Sequence, residues 1–256
     1  MFDLTGKVAI ITGSTRGIGK AIAEQMALHG AKVVVSSRKA DVCDEVTTAI
    51  NSMTADGPGE AISIPCNISH KEELQKLVDT THKRLGGIDI LVCNAAVNPY
   101  FGPSKDMPDS ALDKILDVNI KSNHWLCHMV LPEMAERGDG GSVIVVSSVS
   151  GLEGSPVLGA YGISKAADMA LVRNLAVEYG PKNIRVNAIA PGLVKTDFAR
   201  ALWENPDILK YATANTPLRR IGQPEEIAGA AVFLASRAGN YLCGHTLVID
   251  GGATIA

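Results

Sequence analysis

Residues 7–20 read Lys7-Val8-Ala9-Ile10-Ile11-Thr12-Gly13-Ser14-Thr15-Arg16-Gly17-Ile18-Gly19-Lys20. A short apolar run rich in β-branched residues enters a turn with three glycines, and the turn enters a helical pattern. Glycine lets such a turn tighten and lets its backbone come close to a pyrophosphate. The first turn of the following helix offers unpaired N–H groups and a partial positive charge to that anion. The spacing is G-x-x-x-G-x-G, not the commoner G-x-G-x-x-G. The strand–turn–helix context at the start of the chain makes it a dinucleotide site.

The same alternation continues outward. Strands are predicted at 7–12, 32–36, 61–66, 88–93, 142–147, 184–189 and 246–249. Helices are predicted at 17–29, 41–53, 71–85, 109–135 and 158–179, and from Pro224 onward, with a looser segment over 192–222. Continuous apolar strands separated by helices imply a parallel sheet covered on both faces. The expected class is α/β. No repeat, low-complexity tract or linker divides the chain, so residues 1–256 are read as one domain.

The second strand should end near the adenosine ribose. An Asp or Glu there would bind both ribose hydroxyls and favour NAD(H). The sequence reads Ser36-Ser37-Arg38-Lys39 instead. Arg38, with Arg16 from the glycine turn and the Ser37 hydroxyl, suits a 2′-phosphate through charge-assisted hydrogen bonds. NADP(H) is therefore expected over NAD(H).

Downstream, Tyr161-Gly162-Ile163-Ser164-Lys165 sets a phenol and an amine four residues apart, on one face of a helix. Ser148 stands thirteen residues before Tyr161, at the end of an apolar run. A phenol beside a fixed cation can give and take a proton nearer to neutral pH than a free tyrosine. Together the turn and this pair point to joint transfer of a hydride and a proton.

These motifs resemble the short-chain dehydrogenase/reductase family over essentially the whole chain. They are Thr12–Gly19, Asn94-Ala95-Ala96, Asn119 in Val-Asn-Ile-Lys-Ser, Ser148, Tyr161-x-x-x-Lys165, Asn187–Gly192 and Asp250-Gly251-Gly252. The resemblance implies a Rossmann-type, doubly wound sheet of seven parallel strands and a homotetramer. It implies a catalytic set of Asn119, Ser148, Tyr161 and Lys165. Tyr161 would be the proton donor in reduction and the base in oxidation. Lys165 would make the phenol more acidic and bind the nicotinamide ribose. Ser148 would hold the substrate oxygen, and Asn119 a water in a proton relay. It also implies cofactor contacts from Gly13, Ser14, Thr15, Arg16, Gly17, Ile18 and Gly19, and from Ser37, Arg38, Asn67, Ile68, Asn94 and Ala95. Tyr161, Lys165, Pro191, Gly192, Val194 and Thr196 would complete them. Two positions depart from the family pattern. Asn67 replaces the usual Asp, and Cys93-Asn94-Ala95-Ala96 replaces Asn-Asn-Ala-Gly.

The substrate wall is expected from 97–101, 149–158 and 198–211, where Tyr100, Phe101, Leu152, Leu158, Phe198, Leu202, Trp203 and Tyr211 suit an apolar ketone, aldehyde or secondary alcohol. Glu153 is placed near the pocket mouth, and the segment from Phe198 to Tyr211 is expected to close as a lid. Two other readings stay open: a 3-oxoacyl thioester reductase, and a protein that binds the dinucleotide without turnover.

Bulk properties narrow the partners. The formal net charge is −3, with 46% hydrophobic and 20% charged residues, which gives no footprint for nucleic acid or an anionic membrane. No apolar run approaches the roughly 20 residues of a spanning helix. The first residues lack a signal-peptide pattern. The five cysteines (Cys43, Cys66, Cys93, Cys127 and Cys243) form no C-x-x-C pair. Free thiols in a reducing cytoplasm are the expectation. The six histidines form no ligand motif, so no metal is expected.

Overall fold

The computed structural model describes residues 1–256. Seven strands, β1 (Val8–Thr12), β2 (Lys32–Ser36), β3 (Glu60–Ser63), β4 (Ile90–Cys93), β5 (Gly141–Val146), β6 (Ile184–Pro191) and β7 (Thr246–Ile249), form one sheet. Its order is β3-β2-β1-β4-β5-β6-β7, and every neighbouring pair is parallel. The connections run outward from β1 to β3 and then cross back to β4. A crevice opens where the order reverses, beyond the C-terminal ends of β1 and β4.

Period-two alternation divides the strand residues between two cores. Ala9, Ile11, Val33, Val35, Ile90, Val92 and Ile144 face α1 (Gly17–Leu28), α2 (Ala40–Met53) and α9 (Pro224–Ala235). Ile10, Val34, Leu91, Cys93, Val143 and Val145 face α3 (Lys71–Leu85), α5 (Ser122–Arg137) and α6 (Gly159–Tyr179). The sheet is thus covered on both sides, which makes the fold Rossmann-type and doubly wound, as expected.

Three local features differ from the sequence reading. The third strand ends at Ser63 rather than Cys66 because Pro65 has no N–H for the ladder. Ile64 and Cys66 still donate to the carbonyls of Val35 and Ser37, at 3.0 and 2.9 Å. The helix expected over 109–135 is α4 (Asp109–Ile115), a π-helical turn at Leu116–Lys121, and then α5. The looser segment 192–222 contains two short helices, α7 (Arg200–Trp203) and α8 (Pro206–Asn215). No helix is long and apolar enough to cross a membrane.

Candidate active site

The glycine turn is built against the β4 end. Gly13 and Gly17 hold φ of +65° and +54°, in the left-handed region that favours glycine. At Gly19 the constraint is space: a Cβ would lie 2.3 Å from Asn94 Nδ2 and 2.4 Å from the Gly13 carbonyl oxygen. Asn94 donates from Nδ2 to the carbonyls of Thr12 (2.9 Å) and Gly13 (3.2 Å). The Thr12 hydroxyl accepts from the backbone N–H groups of Asn94 and Ala95 at 3.0 and 3.1 Å. This clamp joins the two strands that flank the crevice. Helix α1 starts at Gly17 and aims its free N–H groups into the opening.

The catalytic candidates converge from β5 and α6. Ser148 follows β5, and its Oγ accepts from the Ser150 N–H at 3.1 Å, which leaves its own proton to donate. Gly151 lets this turn lie on α6: a Cβ there would sit 2.7 Å from the Lys165 carbonyl carbon. Ser147 ties the contact by donating to the Lys165 carbonyl at 2.8 Å. Lys165 Nζ lies 5.8 Å from the centroid of the Tyr161 ring. It donates to the Val146 carbonyl at 2.9 Å and to Asp168 Oδ2 at 3.0 Å. Burial pulls the Lys165 amine down, but the Asp168 carboxylate and the ionised form of Tyr161 outweigh it and hold it above the ordinary lysine value.

One cleft of about 920 Å³ joins these parts. Ser148, Tyr161 and Lys165 line it, with Gly13, Thr15, Arg16, Gly17, Ile18, Gly19, Ser37, Arg38, Asn67, Ile68, Asn94, Ala95, Pro191, Gly192, Val194 and Thr196. Two predicted residues do not. Ser14 is fully buried: its Oγ donates to the Ile11 carbonyl and accepts from the Ser36 N–H, both at 2.8 Å, and so pins β1 to β2. Asn119 is also buried, inside the π turn. Its side chain bonds both backbone groups of Val97 and donates to Ser164 Oγ at 3.0 Å, while its carbonyl accepts from Asn123 Nδ2 at 2.8 Å. It braces the loop after β4 from outside the cleft lining.

Of the expected substrate wall, Phe101, Leu158, Phe198 and Leu202 line the cleft, whereas Tyr100, Leu152, Glu153, Trp203 and Tyr211 do not. The Tyr100 hydroxyl donates to the Pro103 carbonyl at 2.8 Å, and the Trp203 indole donates to the Thr196 carbonyl at 2.8 Å. Phe198 stands with its ring centroid 6.0 Å from that of Tyr161. Asn98, which the sequence reading passed over, lines the cleft with a buried Oδ1 that has no hydrogen-bond donor. Its only sequence signal was a polar residue within the loop 97–101.

The residues fit a dinucleotide. The glycine cradle leaves no room for side chains, and the lining carries five cations (Arg16, Arg38, Lys39, Lys114 and Lys165) against one carboxylate, Asp197. No cluster of three or more His, Cys, Asp or Glu side chains is arranged to hold a metal ion, and all five cysteines are free thiols.

A family model described as "Enoyl-(Acyl carrier protein) reductase" matches residues 13–254. Dehydrogenase/reductase SDR family member 4 of Bos taurus is 45% identical over 253 residues, covering 98% of this chain and 88% of that protein. Among solved structures, a 7α-hydroxysteroid dehydrogenase complexed with NADH and 7-oxo glycochenodeoxycholic acid has a TM-score of 0.92 at 40% identity, covering 98% of this chain and 95% of that one. A gluconate 5-dehydrogenase from Burkholderia cenocepacia in complex with NADP and tartrate has a TM-score of 0.94 at 30% identity, covering 100% and 98%. With a family model and relatives that match nearly the whole chain, the protein belongs to the short-chain dehydrogenase/reductase family of oxidoreductases.

Proposed function

We propose that the protein is an NADP(H)-dependent oxidoreductase that interconverts an apolar ketone or aldehyde and its alcohol. The observation that carries this reading is the shared cleft: Tyr161, Lys165 and Ser148 line the same crevice as the glycine turn. When bound, the nicotinamide cofactor supplies or accepts the hydride. The chain's own groups do the rest. Ser148, with its proton free, holds the substrate oxygen and stabilises the charge that grows on it. Tyr161 gives that oxygen a proton in reduction and takes it back in oxidation. Lys165, kept as an ammonium ion, favours the phenolate that forms. Asn119 supports the site by bracing Val97, and it does so without lining the cleft.

The preference for NADP(H) is supported by Arg16, Ser37, Arg38 and Lys39 at the adenosine end, where no carboxylate lines the cleft. The apolar substrate class is supported by Phe101, Leu158, Phe198 and Leu202. The test is hydride transfer from NADPH and NADH across a panel of ketones, aldehydes and 3-oxoacyl thioesters, with Tyr161→Phe as control. Turnover of apolar carbonyls that falls by a factor of about 10²–10⁴ in the control is expected. Cofactor binding with no turnover on the panel would defeat the enzyme reading, and turnover of thioesters alone would replace its substrate class.

We read the assembly as a homotetramer. Supporting this are Ile163 and Val177 on α6, apolar yet 61% and 80% exposed in the single chain. Light scattering that finds a stable, active monomer would end that reading.

A further inference from the structure

The catalytic lysine is not left to the cofactor alone. Asp168, one turn along α6, is buried with Lys165, and their side chains are 0% and 2% exposed. The carboxylate spends one oxygen on each neighbour. Oδ2 accepts from Lys165 Nζ at 3.0 Å, and Oδ1 accepts from Asn123 Nδ2 at 2.9 Å. The same Asn123 nitrogen donates to the Asn119 carbonyl at 2.8 Å. A continuous chain of hydrogen bonds therefore runs from the Lys165 ammonium through Asp168 and Asn123 to the backbone of the π turn. Lysine has three donors; two are committed to Val146 and Asp168, and one is left for the cleft.

We propose that Asp168, aimed by Asn123, is a positioning residue: the fixed counter-ion of Lys165, which sets the charge against which the Tyr161–Lys165 pair exchanges its proton. This rests on the proton-transfer role given above to Tyr161 and Lys165, and it adds a third, buried charge to their site. Stability alone is a poor explanation for that charge. A buried ion pair recovers little more than its desolvation cost, and apolar residues at both 165 and 168 would fill the same space at no such cost, so the carboxylate at 168 is tied to keeping a charged lysine at 165.

The other groups around the pair leave Asp168 as the only negative charge facing Lys165. Tyr161 and Lys165 come from its own helix, Cys93 from β4 and Cys127 from α5, while β5 contributes the Val146 carbonyl and the π turn reaches the pair through Asn123. The Cys93 thiol, beside Cys127 and buried, is pushed well above its usual range and stays neutral. Burial pushes the Asp168 carboxyl up, and Lys165 and Asn123 partly offset this. Since Lys165 is held above its ordinary value, the two are ionised together between these limits. The sign of the effect does not depend on which of the coupled groups titrates first. Removing one fixed negative charge lowers every proton-loss step of the cluster that remains.

The test compares wild type with Asp168→Asn, which keeps the shape and removes the charge. Asp168→Leu, which needs no buried donor, replaces it if the amide does not fold, and Asp168→Glu restores the charge. Two readouts are used: the pH profile of kcat/KM in alcohol oxidation, and an ultraviolet titration of tyrosinate in the cofactor-free protein, taken as the difference from Tyr161→Phe. Removal of the charge should move the acidic limb and the tyrosinate onset down by about one pH unit, and glutamate should restore them. Profiles of the neutral variants that coincide with wild type would overturn the proposal. Activity that survives in Tyr161→Phe would instead overturn the proton-transfer role on which it rests.

Discussion

Arg38 is exposed at the C-terminal end of β2 and lines the adenosine end of the cleft with Arg16 and Lys39. A guanidinium there can fork onto a phosphate, and a charge-assisted bond of that kind is worth about 1.5–3 kcal/mol. A carboxylate in its place would lose that bond and repel the 2′-phosphate, yet it could accept from the two hydroxyls of an unphosphorylated ribose. Arg38→Asp is therefore expected to lower kcat/KM for NADPH by about 100-fold or more and to leave NADH turnover equal or improved. Steady-state kinetics with both cofactors on one ketone measure this ratio. A variant that uses NADPH as well as wild type does would remove Arg38 from the site. Ser14 illustrates the limit of reading such residues by position. It sits inside the glycine motif, but its hydroxyl is consumed in joining β1 to β2, a role visible only once the second strand lies beside the first.

At the scale of elements, helix α9 begins with a local electrostatic device. Glu226 accepts from the Gln223 N–H at 2.8 Å and from both terminal nitrogens of Arg220, at 2.7 and 2.6 Å. The Arg220 hydrogen bond, followed by the one from the Gln223 backbone, lowers the Glu226 carboxyl from 4.5 to about 2. A carboxylate whose pKa falls on folding stabilises the fold fully above its unfolded value. That contribution fades as pH drops from about 4.5 towards 2. Glu226→Gln should accordingly flatten the acid loss of stability across this window, read as the denaturant midpoint against pH. The pair is exposed, so added salt should shrink the difference. Identical midpoints at every pH would show that the pair contributes nothing. The ends of the elements also mark how far the sequence could be read. Apolar alternation located all seven strands and the main helices, because burial on two faces leaves few other patterns for Val- and Ile-rich runs. It missed the π turn at Leu116–Lys121, where Asn119 trades intrahelical order for bonds to Val97 and Ser164. Those partners lie 22 and 45 residues away, beyond any local signal. Helices α7 and α8 were missed for a related reason: they are short pieces held by their ends, with Lys195 donating to the Gly222 carbonyl at 3.0 Å and Gly222 to the Leu193 carbonyl at 2.9 Å.

For the whole molecule, the cleft is where separate parts of the chain meet. Its walls come from the turn after β1, the ends of β2, β4 and β5, the start of α6, and the segment 191–202 after β6. A ligand that bridges these parts should stabilise the native state as a unit. A ligand that binds only the folded protein adds about 2.7 kcal/mol at 100 times its Kd, and each kcal/mol raises Tm by about 2–4 °C for a chain of this size. Saturating NADP+ is therefore expected to raise the melting temperature by about 5–10 °C. NAD+ at the same concentration should give a smaller rise, because Arg16, Arg38 and Lys39 gain one fewer phosphate. Arg38→Asp should narrow the gap between the two cofactors, since it removes the cation without altering the walls. Scanning fluorimetry or calorimetry on wild type and this variant makes the measurement without any substrate. Equal shifts for both cofactors in wild type would mean that the basic adenosine end does not read the 2′-phosphate, whatever the activity of the catalytic end.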